Sequence, residues 1–303
     1  MSGTLVDIPA GRFAMGSGDF YPEERPVHTA TVGAFRIDAH PVTVREFRRF
    51  VKATGHVTTA EHAPEREEYP DADAALLVPG SLVFRPARGP VDVRDHRNWW
   101  AYVPGACWHR PEGPGSDTYT RADHPVTHVT HADAAAYAAW AGKALPTEAE
   151  WERAARGGLE GRTYAWGDEP QPDGVPLANT WQGEFPWQNT LEDGYAGTSP
   201  VGSFPANGFG LFDACGNVWE WTDDWFAGDH ATPSPCCAPP PSADGERSGD
   251  EASGRDRIPR RVIKGGSHLC APSYCLRFRP AARQGEAIDT STSHIGFRCV
   301  IRD

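Results

Sequence analysis

No run of apolar residues in this 303-residue chain approaches the length of a membrane span. The N-terminus lacks the basic-then-apolar pattern of a secretory signal, because Asp7 and Arg12 interrupt it. A cytoplasmic location is therefore the default expectation, with no membrane partner. Lysine is nearly absent, at Lys52, Lys143 and Lys264 alone, while arginine is plentiful; this reads as coding bias, not chemistry. Positive charge is scarce overall. The formal net charge is −12, which argues against a nucleic-acid partner and is compatible with a basic peptide substrate. Repeats are absent, and nothing resembles a phosphate loop or a Ser-His-Asp arrangement. The 12 histidines show no HxH or HExxH spacing. His124 and His128 could share a face, but they read as core or surface residues. The seven cysteines (Cys107, Cys215, Cys236, Cys237, Cys270, Cys275, Cys299) are odd in number and irregularly spaced, which excludes a secreted disulfide framework.

What is present points to a loop-rich fold with large aromatic anchors: 11 Trp, 32 Gly and 28 Pro. Short β-segments are expected at Thr4–Ile8, Arg12–Met15 and Thr29–Ile37. Thr43 and Glu46 have capping-box spacing and open a helix that presents Val44, Phe47, Phe50 and Val51 on one face and stops at Gly55. Residues 56–98 are polar and irregular and read as long surface loops. A second helix runs from about Ala132 to Gly142, with Tyr137 and Trp140 on its buried side, and Thr147 opens a third, Glu148–Arg156. Beyond residue 160 the better strand candidates are Tyr164–Trp166, Val201–Ser203, Val218–Thr222, Arg261–Lys264, Cys275–Arg279 and Gly296–Ile301. The stretch 231–257 has almost no large apolar side chains and reads as a mobile surface insert. Helices early and short strands late make an irregular α+β fold in a single domain over 1–303.

The chemistry concentrates in Gly265–Cys299. Cys270 and Cys275 lie five residues apart with Pro272 between them, a step that puts side chains on different faces of either a helix or a strand. Their sulfurs meet only if the segment turns, and Gly265, Gly266 and Pro272 favour a turn. Spacing alone leaves a disulfide, a zinc site drawing on His268, a two-thiolate site for a soft ion such as Cu(I), and two unrelated thiols all open. Two oxygen-rich loops, around Asn179/Thr180 with Asp193-Gly194-Tyr195 and over Asp213–Glu220, offer the hard ligands that Ca2+ takes, or are simply Asx turns.

The run GGSHLC…SYC.RFR…AAR…IGFRC closely resembles the C-terminal end of the formylglycine-generating enzymes, the activators of sulfatases. The resemblance extends through GNVWEWTDDW (Gly216–Trp225), NTWQGEFPWQNT.EDGY (Asn179–Tyr195), LPTEAEWERAARGG (Leu145–Gly158) and IPAGRFAMGS (Ile8–Ser17), nearly the whole chain. It implies a low-regularity fold distantly like C-type lectins, and a cytosolic enzyme of the prokaryotic type acting as a monomer. It implies a copper-dependent oxidase that uses O2 and a reductant to convert the cysteine of a Cys-x-Pro-x-Arg motif in an unfolded sulfatase chain to Cα-formylglycine, through a thioaldehyde that hydrolyses.

Residue by residue, the resemblance implies Cu(I) on Cys270 and Cys275, with Ser267 and Tyr274 as active-site hydroxyls. It implies structural Ca2+ at Asn179, Thr180, Asp193 and Tyr195, and a second Ca2+ at Asp213, Gly216, Val218 and Glu220. Glu65 is the best match to the acidic residues that bind the motif's arginine. The family's disulfides cannot form here, since Ala138 and Pro280 stand at bridging positions, so Cys299 is expected as a buried thiol. Two rivals share the superfamily: a non-catalytic binding module, which lacks the cysteine pair, and a non-haem iron sulfoxide synthase, whose histidine ligand set has no counterpart in spacing here.

Overall fold

The computed structural model describes residues 3–67, 69–230 and 258–302. The expected insert at 231–257, with Cys236 and Cys237, lies outside them, as does Glu68.

The N-terminal third holds strands β1 (Leu5–Ile8), β2 (Gly11–Met15), β3 (His28–Val32) and β4 (Phe35–Asp38). The single strand expected over Thr29–Ile37 is thus two. β2 and β3 pair as an antiparallel ribbon, and β1 pairs with β4. Helix α1 (Val44–Thr54) begins where the sequence indicates. Thr43 and Glu46 cap each other's backbone, and Gly55 closes the helix at φ +72°, a left-handed conformation that costs glycine little. Strands β5 (Gly80–Phe84) and β6 (Trp100–Pro104) form an antiparallel pair. The reading of 56–98 as loops alone is corrected there: Val83 is buried, in a segment whose apolar run is too short to stand out.

Helices α2 (His131–Trp140) and α3 (Glu148–Arg156) follow, both with reciprocal caps. Tyr137 is buried as expected. Trp140, the last residue of α2, is 44% exposed although its ring still meets Phe50 and Tyr137 in tilted contacts. The remaining strands are β7 (Trp219–Trp225), β8 (Arg260–Lys264), β9 (Arg283–Ala287), β10 (Ile295–Gly296) and β11 (Val300–Arg302). They build a sheet in the order β10-β7-β8-β9, parallel only between β10 and β7, while β11 joins the β1-β4 pair. Tyr164–Trp166, Val201–Ser203 and Cys275–Arg279 are turns or irregular segments, not strands. The α+β reading stands.

The core carries several buried ion pairs. Lys264 is fully buried and sits 2.9 Å from Glu152, whose carboxylate also holds Arg156 at 2.7 Å. Arg279 meets Glu24 at 2.5 Å, Arg283 meets Glu148 at 2.8 Å, and Arg298 meets Glu220 at 2.7 Å. Lys264, Arg279, Arg283 and Arg298, all from the last third of the chain, tie down acids from α3, β7 and the turn before β3. Removing one partner of such a pair leaves an uncompensated buried charge.

Candidate active site

Strand β8 ends at Lys264, and the chain reverses through Gly265 and Gly266 at φ +90° and +69°. A Cβ on Gly266 would lie 2.8 Å from the backbone of Arg277 and Phe278. Only glycine lets the two arms of the 265–278 loop approach this closely. That closure brings the five-residue Cys270/Cys275 step together: the sulfurs are 3.4 Å apart, both as free thiols. The open choice between a pair and two unrelated cysteines is decided for a pair, and against a disulfide in this state. His268 turns away, with Nδ1 on the Asn217 carbonyl, so the zinc set that drew on it is not assembled.

The two thiols differ. Cys270 is buried, and burial with the neighbouring Cys275 charge pushes its thiol up. Cys275 is lowered to about 7, first by the hydrogen bond from Cys270 and then, against the opposing effect of burial, by the Arg277 guanidinium. The first proton leaves Cys275, and the Cys270 S–H and the Ser267 N–H, 3.4 Å from Cys270 Sγ, hold the pair in register. Arg277 is itself fixed by Glu23 at 2.5 Å and by stacking 4.0 Å above the Tyr21 ring.

The thiols open into a cavity of about 400 Å³. Its wall includes Tyr274, Phe185 and Trp99. Tyr274 stacks on Phe185 with ring centroids 4.4 Å apart, and Trp99 packs edge-on against both. Ser267 is fully buried, and its hydroxyl lies between the Leu269 N–H at 3.2 Å and His294 Nδ1 at 3.0 Å. His294 is lowered to about 3 by burial and by the nearby His268 and His128, and is neutral. The structure thus gathers all four expected residues at one cavity, with Cys270, Cys275, Ser267 and Tyr274 all in its wall. It adds Arg277, two residues beyond Cys275 in the same motif, and Tyr21, Trp99, Phe185, Glu286 and His294, which come from other segments. Glu65 is exposed and outside this wall. The nearest link from its segment is Tyr69, whose hydroxyl donates to Asp289 beside the cavity residue Thr290. The carboxylate in the wall is Glu286, raised by burial.

The oxygen-rich loops separate into two cases. Asn179 is 1% exposed and its Oδ1 has no hydrogen-bond partner. Asp193 sits beside it in the same loop pair, accepting from Thr180 N at 3.0 Å and Tyr195 N at 2.9 Å. An orphaned, buried amide oxygen next to a carboxylate and turn carbonyls suits a hard cation. The second set does not fit as a whole. Glu220 Oε2 accepts from Trp151 Nε1 and Arg298 Nε, and Oε1 from Arg298 Nη2, so a guanidinium already meets its charge. Asp213 accepts from Gly202 N at 2.8 Å, no more than Asp193 accepts in its own loop, so the misfit rests on Glu220. If Ca2+ orders the first loop pair, Asp193→Ala lowers the melting temperature and removes the response to chelator, with the thiol site unaffected in protein that remains folded. Identical melting of the parent with and without chelator contradicts this.

Cys299 is fully buried with its thiol pushed up by burial, as expected of a structural thiol. His128 is buried with Nδ1 on Ser81 Oγ at 2.7 Å, and His124 is held by Thr198 at 3.0 Å.

The family description "Sulfatase-modifying factor enzyme 1-like domain" matches residues 1–303. The chain belongs to that family. It is 56% identical over 98% of its length to the formylglycine-generating enzyme of Mycobacterium tuberculosis, of which it covers 97%. It is also 37% identical, over 97% of its length and 84% of the relative, to a mouse protein named inactive C-alpha-formylglycine-generating enzyme 2. Among solved structures, PvdO from Pseudomonas aeruginosa superposes with a TM-score of 0.61 at 26% identity, over 98% of this chain and 93% of that one. Family membership therefore spans active and inactive proteins, and the thiol cavity has to carry the functional argument.

Proposed function

We propose that the chain is a formylglycine-generating enzyme, a copper-dependent oxidase converting the cysteine of a Cys-x-Pro-x-Arg motif in sulfatases to Cα-formylglycine. The carrying observation is the free thiol pair, 3.4 Å apart at the floor of an aromatic-walled cavity. Two adjacent thiolates are soft donors and suit Cu(I); the bound ion would supply a soft anchor for the substrate sulfur and a centre that passes electrons to O2. The net change balances as follows. The substrate R–CH2–SH loses two electrons and two protons to give R–CH=S, and water converts this to R–CHO and H2S. Reduction of O2 to two waters takes those two electrons and two more from an external reductant.

The protein's own contribution is positioning and proton control. Phe185, Trp99 and Tyr274 form a rigid wall that holds an extended peptide and excludes water around the reacting Cβ. Arg277 and the Cys270 S–H stabilise the Cys275 thiolate before the ion arrives. The Ser267 hydroxyl, backed by neutral His294, is placed to pass a proton to or from the cavity. For the motif's arginine, Glu286 in the wall is better placed than the exposed Glu65. Substituting Arg→Ala in a Cys-x-Pro-x-Arg peptide is expected to cost roughly tenfold in kcat/KM, the value of one charge-assisted pair of about 1.5 kcal/mol. Glu286→Gln should slow the normal peptide but barely affect the Arg→Ala peptide, with Glu65→Gln near neutral for both. Coupling found at Glu65 instead of Glu286 reverses the assignment. Mass-spectrometric detection of formylglycine in the peptide, dependent on copper and O2, tests the activity itself.

A further inference from the structure

Away from the thiol cavity, Glu61, Cys107 and His109 meet at the junction of two loops. Their ligand atoms all lie within 4.8 Å of one another. Cys107 is 3% exposed, on the turn after β6, which its backbone closes by exchanging hydrogen bonds with Arg110. His109 lies on the same turn, with Nδ1 3.4 Å from Cys107 Sγ. Glu61 comes from the short 3-10 turn Thr59–Glu61 after α1. Its Oε2 caps Thr58 at 2.7 and 3.0 Å, which fixes the carboxylate and leaves Oε1 3.8 Å from His109 Nδ1.

This is an odd arrangement without an ion. A thiol makes a weak hydrogen bond, and burial pushes the Cys107 thiol up. Burial lowers His109, so the imidazole is held neutral beside the carboxylate and its ion pair with Glu61 is weakened. A neutral imidazole, a thiol and a pre-oriented carboxylate are three donors of the kind that zinc takes, with one position left for water. Zn–S of about 2.3 Å and Zn–N and Zn–O of about 2.0–2.2 Å put tetrahedral ligand atoms about 3.4–3.6 Å apart. The Cys107–His109 distance already matches, the His109–Glu61 distance is a few tenths of an ångström long, and the Cys107–Glu61 pair, within 4.8 Å, closes by up to about 1.2 Å on binding. The rotatable Oε1 side of Glu61 and the partly exposed His109 ring supply the adjustment.

We propose that Glu61, Cys107 and His109 form a second metal site, for a divalent cation of borderline softness such as Zn2+, separate from the Cys270/Cys275 pair. On binding, the Cys107 S–H releases its proton to solvent, and thiolate and carboxylate together neutralise the dication. The ion cross-links the turn after α1 to the turn after β6.

The test uses reduced, metal-free full-length protein and Co2+, whose tetrahedral thiolate complexes absorb in the near ultraviolet. The parent should show a thiolate-to-cobalt band that saturates at one equivalent and is bleached by Zn2+. The band should persist in Cys270→Ser, disappear in Cys107→Ser, and require tenfold or more Co2+ in His109→Ala, at a partly exposed position whose ring meets the core only at its edge contact with Trp108. Zinc-edge X-ray absorption on the parent, carrying one equivalent, should then report one sulfur and one imidazole nitrogen. A band unchanged by both Cys107→Ser and His109→Ala, or no band in the parent, overturns the proposal.

Discussion

Replacing either Cys270 or Cys275 with serine is expected to abolish turnover while the protein still folds. The two sulfurs are the soft donors of the proposed site, and they touch at 3.4 Å on a loop whose shape is fixed by Gly265 and Gly266, not by the thiols themselves. Serine is nearly isosteric and keeps a hydrogen-bonding group, so neither the loop nor the cavity wall need rearrange. What is lost is the soft pair: an ion held by one thiolate and one hydroxyl is held poorly. A bound metal supplies several kcal/mol of transition-state stabilisation, so the loss in kcat/KM should be on the order of a thousandfold or more. The two variants should behave alike, and the double variant should be little worse than either, because the residues act as a unit. Melting curves close to the parent's separate this from unfolding. Near-parental turnover in either variant removes the thiol pair from the mechanism.

The second large effect is on stability. Glu220→Gln keeps the shape of a fully buried side chain but removes the carboxylate that contacts the Arg298 guanidinium, also fully buried, leaving Asp213 and Asp38 only as more distant charges. Breaking such a pair from one side costs about 3–5 kcal/mol. At about 2–4 °C per kcal/mol for a domain of this size, the melting temperature should fall by on the order of 10 °C. The same variant decides between two readings of the Asp213–Glu220 loop. If Arg298 is the counter-ion of Glu220, millimolar calcium does not discriminate parent from Glu220→Gln. If Glu220 is a calcium ligand, as the family resemblance implies, the calcium-dependent gain in melting temperature disappears in Glu220→Gln and persists in Asp193→Ala. The first outcome is the one expected.

The sequence announced the helices accurately because their start and stop signals are local. Thr43/Glu46, Thr130/Asp133 and Thr147/Glu150 each satisfy their own backbone within four residues, and the glycines at 55 and 157 end helices by adopting positive φ. The thiol pair was legible only in part: Gly265, Gly266 and Pro272 favour a turn that lets the sulfurs meet, but spacing left two unrelated thiols open, and the family resemblance singled out the pair. The cavity wall was not legible. Trp99, Phe185 and His294 are brought to Tyr274 by sheet order and loop packing, and no local pattern marks them as wall residues. Strand β5 was missed because five residues with one polar member do not rise above the surrounding loop. Cys275–Arg279 alternates like a strand, yet Cys275 N donates to the Ala271 carbonyl and Arg277 N to Cys275, which makes it a chain of turns.

Buried charge was the other blind spot. Lys264, Arg279 and Arg298 look like solvent-facing residues in an alternating pattern, and their partners are 78 or more residues away in the pairs with Glu220, Glu152 and Glu24. Only the folded arrangement shows that each cation is paid for by a carboxylate. Glu65 was read from resemblance and exposed charge, and it lies outside the cavity, where Glu286 had no distinguishing context in sequence.

The central claim is that the Cys270/Cys275 pair is a copper site. It is tested most directly by titrating the reduced protein with Cu(I) against a chromophoric competitor. One tightly held Cu(I) per chain is expected in the parent, lost in Cys270→Ser and in Cys275→Ser and unaffected by Cys107→Ser. Tight Cu(I) binding that survives both serine substitutions, or none in the parent, would contradict the account.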